Sequence, residues 1–517
     1  MGTPNRGYGE IGNLSEWEAS RLSMQNNADE GKTVEERRKR GQFSTPFPLA
    51  REIASFGLGL LDSESIAFLE PSFGTGSLYS ALLRETKGTS YRVHSATGVE
   101  LDKTYFECAQ DLWKDTGLRL IHADFTRFPP DGRYNFVLAN PPYVRHQYLS
   151  KHEKEFLSDL VRKETEIQLS GLSGLYCYFL LLTHKWLSPN AVCGWLIPSE
   201  FMDVNYGAAV KDYLLNKVRL LKIHRYNPAV ARFPDALVSS CVVWFKNETI
   251  REDYEVEFSY DGSPKKAVKK SVLLDEPKWT RFPQKSVRNI ESKTGVLGDY
   301  FTIKRGLATG DNDFFILSQD RILELGMDMS FFRPILPSPR CLKTDFVNAD
   351  DAGTPNLEKR FFLLDCQLPE YEIQEKYPAI WSYLQTGIGA TSEKYLCAKR
   401  RKWYWQERRE STYFLCSYMG RGTETTAPIR FILNLSEAVV TNSYLMLYPK
   451  KNLQRVISEN AEVLFDIWTA LRNIDRSEIE EAGRVYGGGL KKIEPRELAK
   501  VRCPSLRKLL AERGAPE

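Results

Sequence analysis

The stretch Phe68-Leu69-Glu70-Pro71-Ser72-Phe73-Gly74-Thr75-Gly76-Ser77 decides the reading of the fold. An apolar run, Ile66 to Leu69, ends at a carboxylate, turns through two glycines and enters an amphipathic segment at Ser77. That is a buried strand, a tight turn and a helix. Glycines in such a turn let backbone approach a ligand closely, with helix N–H groups pointing at it. No Gly-Lys-Ser/Thr follows, so the turn is not a P-loop, and the full G-x-G-x-x-G spacing is also missing. Taken alone, Gly-x-Gly also fits a plain turn.

Further strands extend the pattern outward. Val93 to Val99 reads as a second strand and Tyr105 to Trp113 as a second helix. Leu118 to His122 and Phe136 to Ala139 read as the third and fourth strands. A long helical pattern, Gly174 to Leu187, precedes strands at Val192–Ile197, Val218–Ile223 and Val238–Phe245. Short apolar strands alternating with amphipathic helices indicate an α/β fold with a doubly wound, mostly parallel sheet. The expected organisation is a polar, mobile or loosely packed arm over 1–36 and an α/β domain over 37–250. A linker or hairpin excursion over 251–289 and a separate α+β domain over 290–517 follow, because α/β alternation stops and aromatics, prolines and glycines become frequent.

Composition narrows the class. The 517 residues are 42% hydrophobic and 27% charged, as in a globular protein of two or three domains. No apolar run reaches the roughly 18 residues of a membrane span; the best candidate, Leu175 to Leu187, carries His184 and Lys185. The N-terminus lacks the apolar core of a signal peptide, so a cytoplasmic location without membrane attachment is expected. The nine cysteines are dispersed with no C-x-x-C pair, which argues for reduced thiols. All six histidines lie at or before His224 and none pairs with a cysteine at zinc spacing, so no metal site is expected. Net charge is only +4, but residues 281–517 hold 36 Lys+Arg against 31 Asp+Glu. That surplus is weak evidence for a polyanion partner.

Two carboxylates and a tetrapeptide supply the chemistry. Glu100 ends the second strand, where it can accept both hydrogens of a ribose diol. Asp124 ends the third, where it can accept from an adenine amino group. Each alone also fits a solvated strand end or a cap. Glu70, ahead of the glycine turn, either faces the cofactor's positive end or holds the loop. The fourth strand runs into Asn140-Pro141-Pro142-Tyr143, a sequence expected by chance in about one chain in a thousand of this length. An exocyclic amine is a poor nucleophile because its lone pair is delocalised into the ring. Accepting both amine hydrogens favours a tetrahedral nitrogen. The Asn140 side-chain oxygen and the Pro141 carbonyl can do so, the latter held rigid by its neighbours Asn140 and Pro142. Tyr143 can stack on the base. No general base is needed before attack on a sulfonium methyl; the gain is orientation and preorganised electrostatics.

With these elements in this order, and with Gly41-Gln42-Phe43-Ser44-Thr45-Pro46 ahead of the glycine turn, the sequence resembles the gamma-type N6-adenine DNA methyltransferases. These are the TaqI-like, class I S-adenosylmethionine-dependent enzymes of restriction–modification systems. The resemblance implies a Rossmann-like methyltransferase domain and a C-terminal target-recognition domain acting on double-stranded DNA. It implies a cofactor site of Thr45 and Phe43 over the methionine part, with Glu70, Pro71, Gly74, Gly76, Glu100, Asp124, Phe125 and Asn140. It also implies an aromatic against the flipped base at Phe233, although Phe233 equally fits ordinary core. The segments Lys304-Arg305-Gly306-Leu307-Ala308-Thr309-Gly310-Asp311-Asn312-Asp313-Phe314-Phe315 and Lys399-Arg400-Arg401-Lys402-Trp403-Tyr404-Trp405 resemble the recognition domain of that group. They suggest DNA contacts from Lys304, Arg305, Arg400, Arg401, Lys402 and Trp403, though the second run equally fits a solvated charge run beside a core cluster. The likeness covers about residues 37 to 500, strongly in the first half and more loosely in the second.

Other classes fit less well. N4-cytosine enzymes share the chemistry but more often have Ser in place of Asn140. Glutamine methyltransferases of release factors carry the tetrapeptide, yet are much shorter and lack the Gly41–Pro46 element. A structured-RNA methyltransferase is a further alternative. A non-catalytic DNA-binding subunit has no need of Glu100, Asp124 and Asn140 together. No convincing Asp…Glu-x-Lys nuclease set is present, so any cognate restriction endonuclease is expected as a separate chain. One catalytic and one recognition domain suffice for a monomer.

Overall fold

The computed structural model describes residues 14–226, 239–250, 253–283, 295–422, 427–486 and 490–513. The chain divides into two compact units, one running to Val287 and one formed by most of the chain from Arg288 onward. In the first, helices α1 (Leu14–Glu30), α2 (Val34–Arg40) and α3 (Phe47–Leu58) precede strand β1 (Ser65–Glu70). Then follow α4 (Ser77–Thr86), β2 (Arg92–Glu100), α5 (Lys103–Trp113), β3 (Leu118–His122) and β4 (Tyr134–Ala139). Helices α6 (Lys151–Thr165) and α7 (Leu175–Leu182) lead to β5 (Leu187–Pro198), and α8 (Ala208–Asn216) leads to β6 (Arg219–Arg225) and β7 (Ser240–Lys246). Strands β8 (Glu255–Tyr260) and β9 (Lys266–Lys269) complete the set.

Among the described residues these strands form one sheet in the order β3-β2-β1-β4-β5-β7-β6-β8-β9. Strands β3, β2, β1, β4 and β5 are parallel, and β7 runs antiparallel between β5 and β6. The alternating side chains of β1 explain the two-sided cover. Ile66 and Phe68 pack in one core with residues of α3, α4 and α5, while Ala67 and Leu69 pack in the other with α6, α7 and α8. Five neighbouring parallel strands bring their carboxyl ends to one edge, where α/β folds bind ligands.

Two expectations change. Residues 14–30, read as a mobile or loosely packed arm, form a 17-residue helix with Glu18, Arg21, Gln25 and Ala28 buried. Their 3- and 4-residue spacing is helical, but three of the four are polar, so the stripe carries no hydrophobic signal. The 251–289 segment, expected as a linker or a hairpin excursion, contains a hairpin in its described part. Strand β8 pairs parallel with β6, and β9 pairs antiparallel with β8, so both widen the main sheet. The cover is partial: Val256, Phe258, Ser259 and Val268 are buried, whereas Glu255 and Lys269 face solvent, which makes the composition look polar. The long helical pattern also ends sooner than read, because β5 begins at Leu187 and not at Val192.

The second unit is α+β. Segments Phe301–Arg305, Tyr444–Pro449, Phe414–Ser417, Phe431–Asn434 and Phe346–Val347 form a five-stranded sheet in that order, antiparallel except for the last pair. Ile316–Ser318, Phe361–Leu364 and Phe332–Ile335 form a second, with Phe361–Leu364 central. Helices Lys451–Glu459, Val463–Arg472 and Pro504–Glu512 pack on the larger sheet. Among the described residues no helix is long and apolar enough to cross a membrane.

Trp279 tests the membership of residues 255–282 in the first unit. It is fully buried, donates from Nε1 to the Leu273 carbonyl at 3.1 Å and meets Phe258 edge-on. Trp279→Ala is expected to cost about 3–5 kcal/mol in thermal or urea unfolding; a linker tryptophan would cost almost nothing.

Candidate active site

The tetrapeptide after β4 is held by the element around Gly41. Gly41 has φ +66, and a Cβ there would lie 2.2 Å from the Tyr143 nitrogen, so only glycine fits. The Tyr143 N–H donates to the Gly41 carbonyl at 3.3 Å. One turn of chain later, Asn140 Nδ2 donates to the Phe43 carbonyl at 2.8 Å and to Thr45 Oγ1 at 3.0 Å. A backbone carbonyl can only accept, so this contact sets the amide orientation and leaves Oδ1 as the acceptor available to a ligand. Two further bonds tie this arrangement to the glycine turn: Ser72 Oγ to the Asn140 carbonyl (2.9 Å) and Ser77 Oγ to the Thr45 carbonyl (2.6 Å).

Pro141 and Tyr143 are buried and Pro142 is half-buried. The Tyr143 hydroxyl donates to the Leu196 carbonyl of β5 at 3.1 Å, and its ring lies tilted at 6.0 Å from that of Phe43. Burial pushes this phenol far above its ordinary range, so it stays a neutral anchor. Phe233 lies outside the described residues.

A cavity of about 740 Å³ opens at the same edge of the sheet. Thr45, Glu70, Pro71, Gly74, Glu100, Asp124, Phe125 and Asn140 line it, together with Phe43. Glu100 accepts the Gly74 N–H on one oxygen and the Asp102 N–H on the other, each at 2.7 Å. Burial raises its pKa from the usual glutamate value, and the two amides oppose that rise. Each oxygen keeps a lone pair for a further donor. Asp124 spends part of its capacity locally, accepting from the Thr126 N–H (2.9 Å) and Oγ1 (2.7 Å), with Arg127 3.3 Å from its other oxygen. The Phe125 ring is buried between Phe179 and Trp186, at 5.5 and 5.2 Å.

The two glycines of the turn differ in purpose. Gly74 has φ +57 with open space where a Cβ would stand, so conformation alone requires glycine. Gly76 has φ +83, and a Cβ there would strike the Phe73 ring and Trp113 Nε1 at 2.6 and 2.7 Å. Gly76 is absent from the cavity wall and serves packing. Glu70 both lines the cavity and caps α4 from within, accepting the Tyr79 N–H at 3.2 Å. The sequence reading missed Gln25, Lys32, Lys39 and Arg40, which also line the cavity. Hydrophobic periodicity could not reveal them. The only local hint is the Glu18/Arg21 pair at helical spacing.

In the second unit Lys304 and Arg305 are exposed at the end of their strand, Lys304 5.8 Å from the Tyr448 ring and Arg305 4.0 Å from that of Tyr418. The basic run divides. Arg400 donates to the Ala308 carbonyl at 2.8 Å, and Lys402 pairs with Glu370 at 3.1 Å. The half-buried Trp403 ring packs on Phe314, Phe315 and Tyr404 against a core cluster. Arg401 remains exposed, 5.5 Å from the Trp405 ring. So the structure brings Thr45, Glu70, Pro71, Gly74, Glu100, Asp124, Phe125, Asn140 and Pro142 together around one cavity, with Pro141, Tyr143 and Gly76 behind its wall. Arg400 and Trp403 turn toward partners within the second unit, and Lys402 joins a surface ion pair.

Comparison with known proteins matches two family models. Residues 49–231 match the Eco57I restriction-modification methylase, and residues 279–515 match the C-terminal domain of the type II methyltransferase M.Eco57I. The two matches together span most of the chain and identify a DNA methyltransferase of restriction–modification type. It is 28% identical over 494 residues to the type II methyltransferase M.AccI of Acinetobacter calcoaceticus, covering 90% of this chain and 86% of that one. It is 26% identical over 487 residues to M.XamI of Xanthomonas campestris pv. amaranthicola, covering 91% and 86%. Among solved structures, a DrdV–DNA complex shares the fold with a TM-score of 0.50 and 11% identity, over 90% of this chain and 56% of that one.

Glu70 makes a pH prediction for this methyltransferase. Burial raises its folded-state pKa well above 4.5. The folded protein thus holds that proton more tightly than the unfolded chain, and stability falls as pH rises from 4.5 toward the raised value. Glu70→Gln keeps an acceptor for Tyr79. It is expected to melt a few degrees higher than wild type at neutral pH, and the difference should vanish near the ordinary glutamate range when Tm is followed against pH.

Proposed function

We propose that this enzyme transfers a methyl group from S-adenosylmethionine to the N6 amine of an adenine flipped out of duplex DNA, as the modification partner of a separate restriction endonuclease. The observation that carries the reading is the fixed Asn140 amide, whose nitrogen is taken by Phe43 and Thr45. Its oxygen and the Pro141 carbonyl accept the two hydrogens of the target amine and draw its lone pair toward tetrahedral geometry. Both acceptors are preorganised, so the gain is orientation and electrostatics without reorganisation. Tyr143, anchored through its hydroxyl, offers a rigid ring near the base.

The cavity residues fit the cofactor. Glu100 is a half-buried carboxylate satisfied by two amides and, among the described residues, is in no ion pair, which suits a ribose diol. Gly74 leaves open space beside it, Asp124 and the edge of Phe125 suit an adenine, and Thr45 and Phe43 lie toward the reacting end. When bound, the cofactor supplies an electrophilic sulfonium methyl. Extruding the base costs a few kcal/mol, which backbone contacts from the second unit offset. Lys304, Arg305 and Arg401 are exposed cations suited to phosphate; Arg400 and Trp403 brace the fold around them, and Lys402 sits in a surface ion pair with Glu370.

Purified protein incubated with unmethylated duplex DNA and S-adenosylmethionine, followed by nucleoside mass analysis, is expected to yield N6-methyladenine. Asn140→Ala is expected to lose activity by a factor on the order of 10² or more while still binding S-adenosylhomocysteine. N4-methylcytosine as the product would replace the adenine assignment, and no transfer to DNA would overturn the proposal. In DNA-binding titrations against salt, Lys304→Ala and Arg401→Ala should each lower the log–log slope by about 1. Trp403→Ala should instead destabilise the second unit by about 3–5 kcal/mol.

A further inference from the structure

One wall of the cavity comes from residues upstream of Gly41, through Gln25, Lys32, Lys39 and Arg40. Helix α1 buries Arg21 completely. A guanidinium taken out of water is strongly destabilising unless it is paired and its remaining protons are satisfied. Arg21 forks onto Glu18, with Nε to Oε2 at 2.9 Å and Nη2 to Oε1 at 2.6 Å. Its other arm, Nη1, donates to Thr75 Oγ1 at 2.9 Å, inside the glycine turn. The Thr75 hydroxyl donates onward to Gln25 Oε1 at 2.7 Å, and the Thr75 carbonyl accepts from Trp113 Nε1 at 2.9 Å. Glu18 also accepts from Ser80 of α4 at 2.7 Å.

A second tie lies at the other strand end. Asp102 follows Glu100 by two residues and donates its N–H to the Glu100 carboxylate. Its own carboxylate accepts from Lys32 Nζ at 2.7 Å and Gln42 Nε2 at 2.9 Å, with Arg40 at 3.4 Å. Lys32 also sits 3.9 Å from the Tyr105 ring, whose hydroxyl donates to Asp29 of α1 at 2.6 Å.

We propose that residues 14–40 are a strap forming part of the cofactor site, with Arg21 and Lys32 as positioning residues. Arg21 fixes the glycine turn through Thr75, and Lys32 fixes the Glu100 loop through Asp102. Both loops are thereby ordered before the ligand arrives, so binding does not spend free energy ordering them. The inference rests on the cofactor assignment above.

The test is calorimetric titration of the full chain with S-adenosylhomocysteine. Lys32→Met and the double variant Glu18→Gln/Arg21→Met are compared with wild type. The double variant removes both buried charges together, because Arg21→Met alone would strand Glu18. Each is expected to raise Kd about tenfold. KM for S-adenosylmethionine should rise with it while kcat at saturation stays within about twofold, and Lys32→Arg should restore wild-type affinity. Hydrogen exchange of α1 amides should slow when S-adenosylhomocysteine is added to wild type. Lys32→Met binding as wild type does, with exchange in α1 unchanged by ligand, overturns the strap while leaving the cofactor assignment intact. Wild type that binds no S-adenosylhomocysteine overturns the cofactor assignment and the strap with it. If the double variant does not fold, Lys32→Met and the exchange measurement decide.

Discussion

The hydrogen bonds from Asn140 Nδ2 to the Phe43 carbonyl and the Thr45 hydroxyl orient the one side chain whose chemistry the proposed reaction needs. An amide can present either end, and only a neighbour that must accept decides which. That neighbour is nearly a hundred residues away in sequence. It reaches Asn140 because Gly41 adopts a left-handed conformation against the Tyr143 backbone, where any Cβ would collide. Ser72 and Ser77 then tie the same pair of segments to the glycine turn. The cofactor cavity and the amine acceptor are thus parts of one hydrogen-bonded frame.

That frame is polar and largely enclosed, which sets its electrostatics. Glu70 and Glu100 are both pushed toward the protonated form by burial. Backbone amides from Tyr79, Gly74 and Asp102 counter this. A carboxylate satisfied by amides keeps acceptor capacity that one locked to a guanidinium loses. Of the paired charges, Arg21 with Glu18 stands one layer further out, while Lys32 with Asp102 closes part of the cavity wall itself. Fixed polar groups surround the site, while the groups facing the ligand retain free lone pairs.

The second unit makes the opposite point about charge. Lys399 to Lys402 is a conspicuous basic run, yet its members diverge once folded. Arg400 satisfies a carbonyl, Lys402 finds Glu370, and Trp403 completes a core of Phe314 and Phe315. Only exposure separates a phosphate ligand from a structural cation, and exposure is a tertiary property.

The sequence by itself determined the βα order, the glycine turn, the carboxylates at successive strand ends and the Asn-Pro-Pro-Tyr element. These signals are local: apolar period, turn chemistry and residue type are written within a few positions. Residues 14–30 were misread, and 255–282 stayed open between linker and hairpin, for a related reason. One buries a polar face satisfied by partners fifty residues away, and the other is an edge pair only partly covered. Tertiary structure alone decided which end of Asn140 faces a ligand, that Gly76 serves packing and not the cavity, and that Arg21 belongs to the site. Each depends on what a distant segment places opposite a given atom, and spacing along the chain carries no record of that.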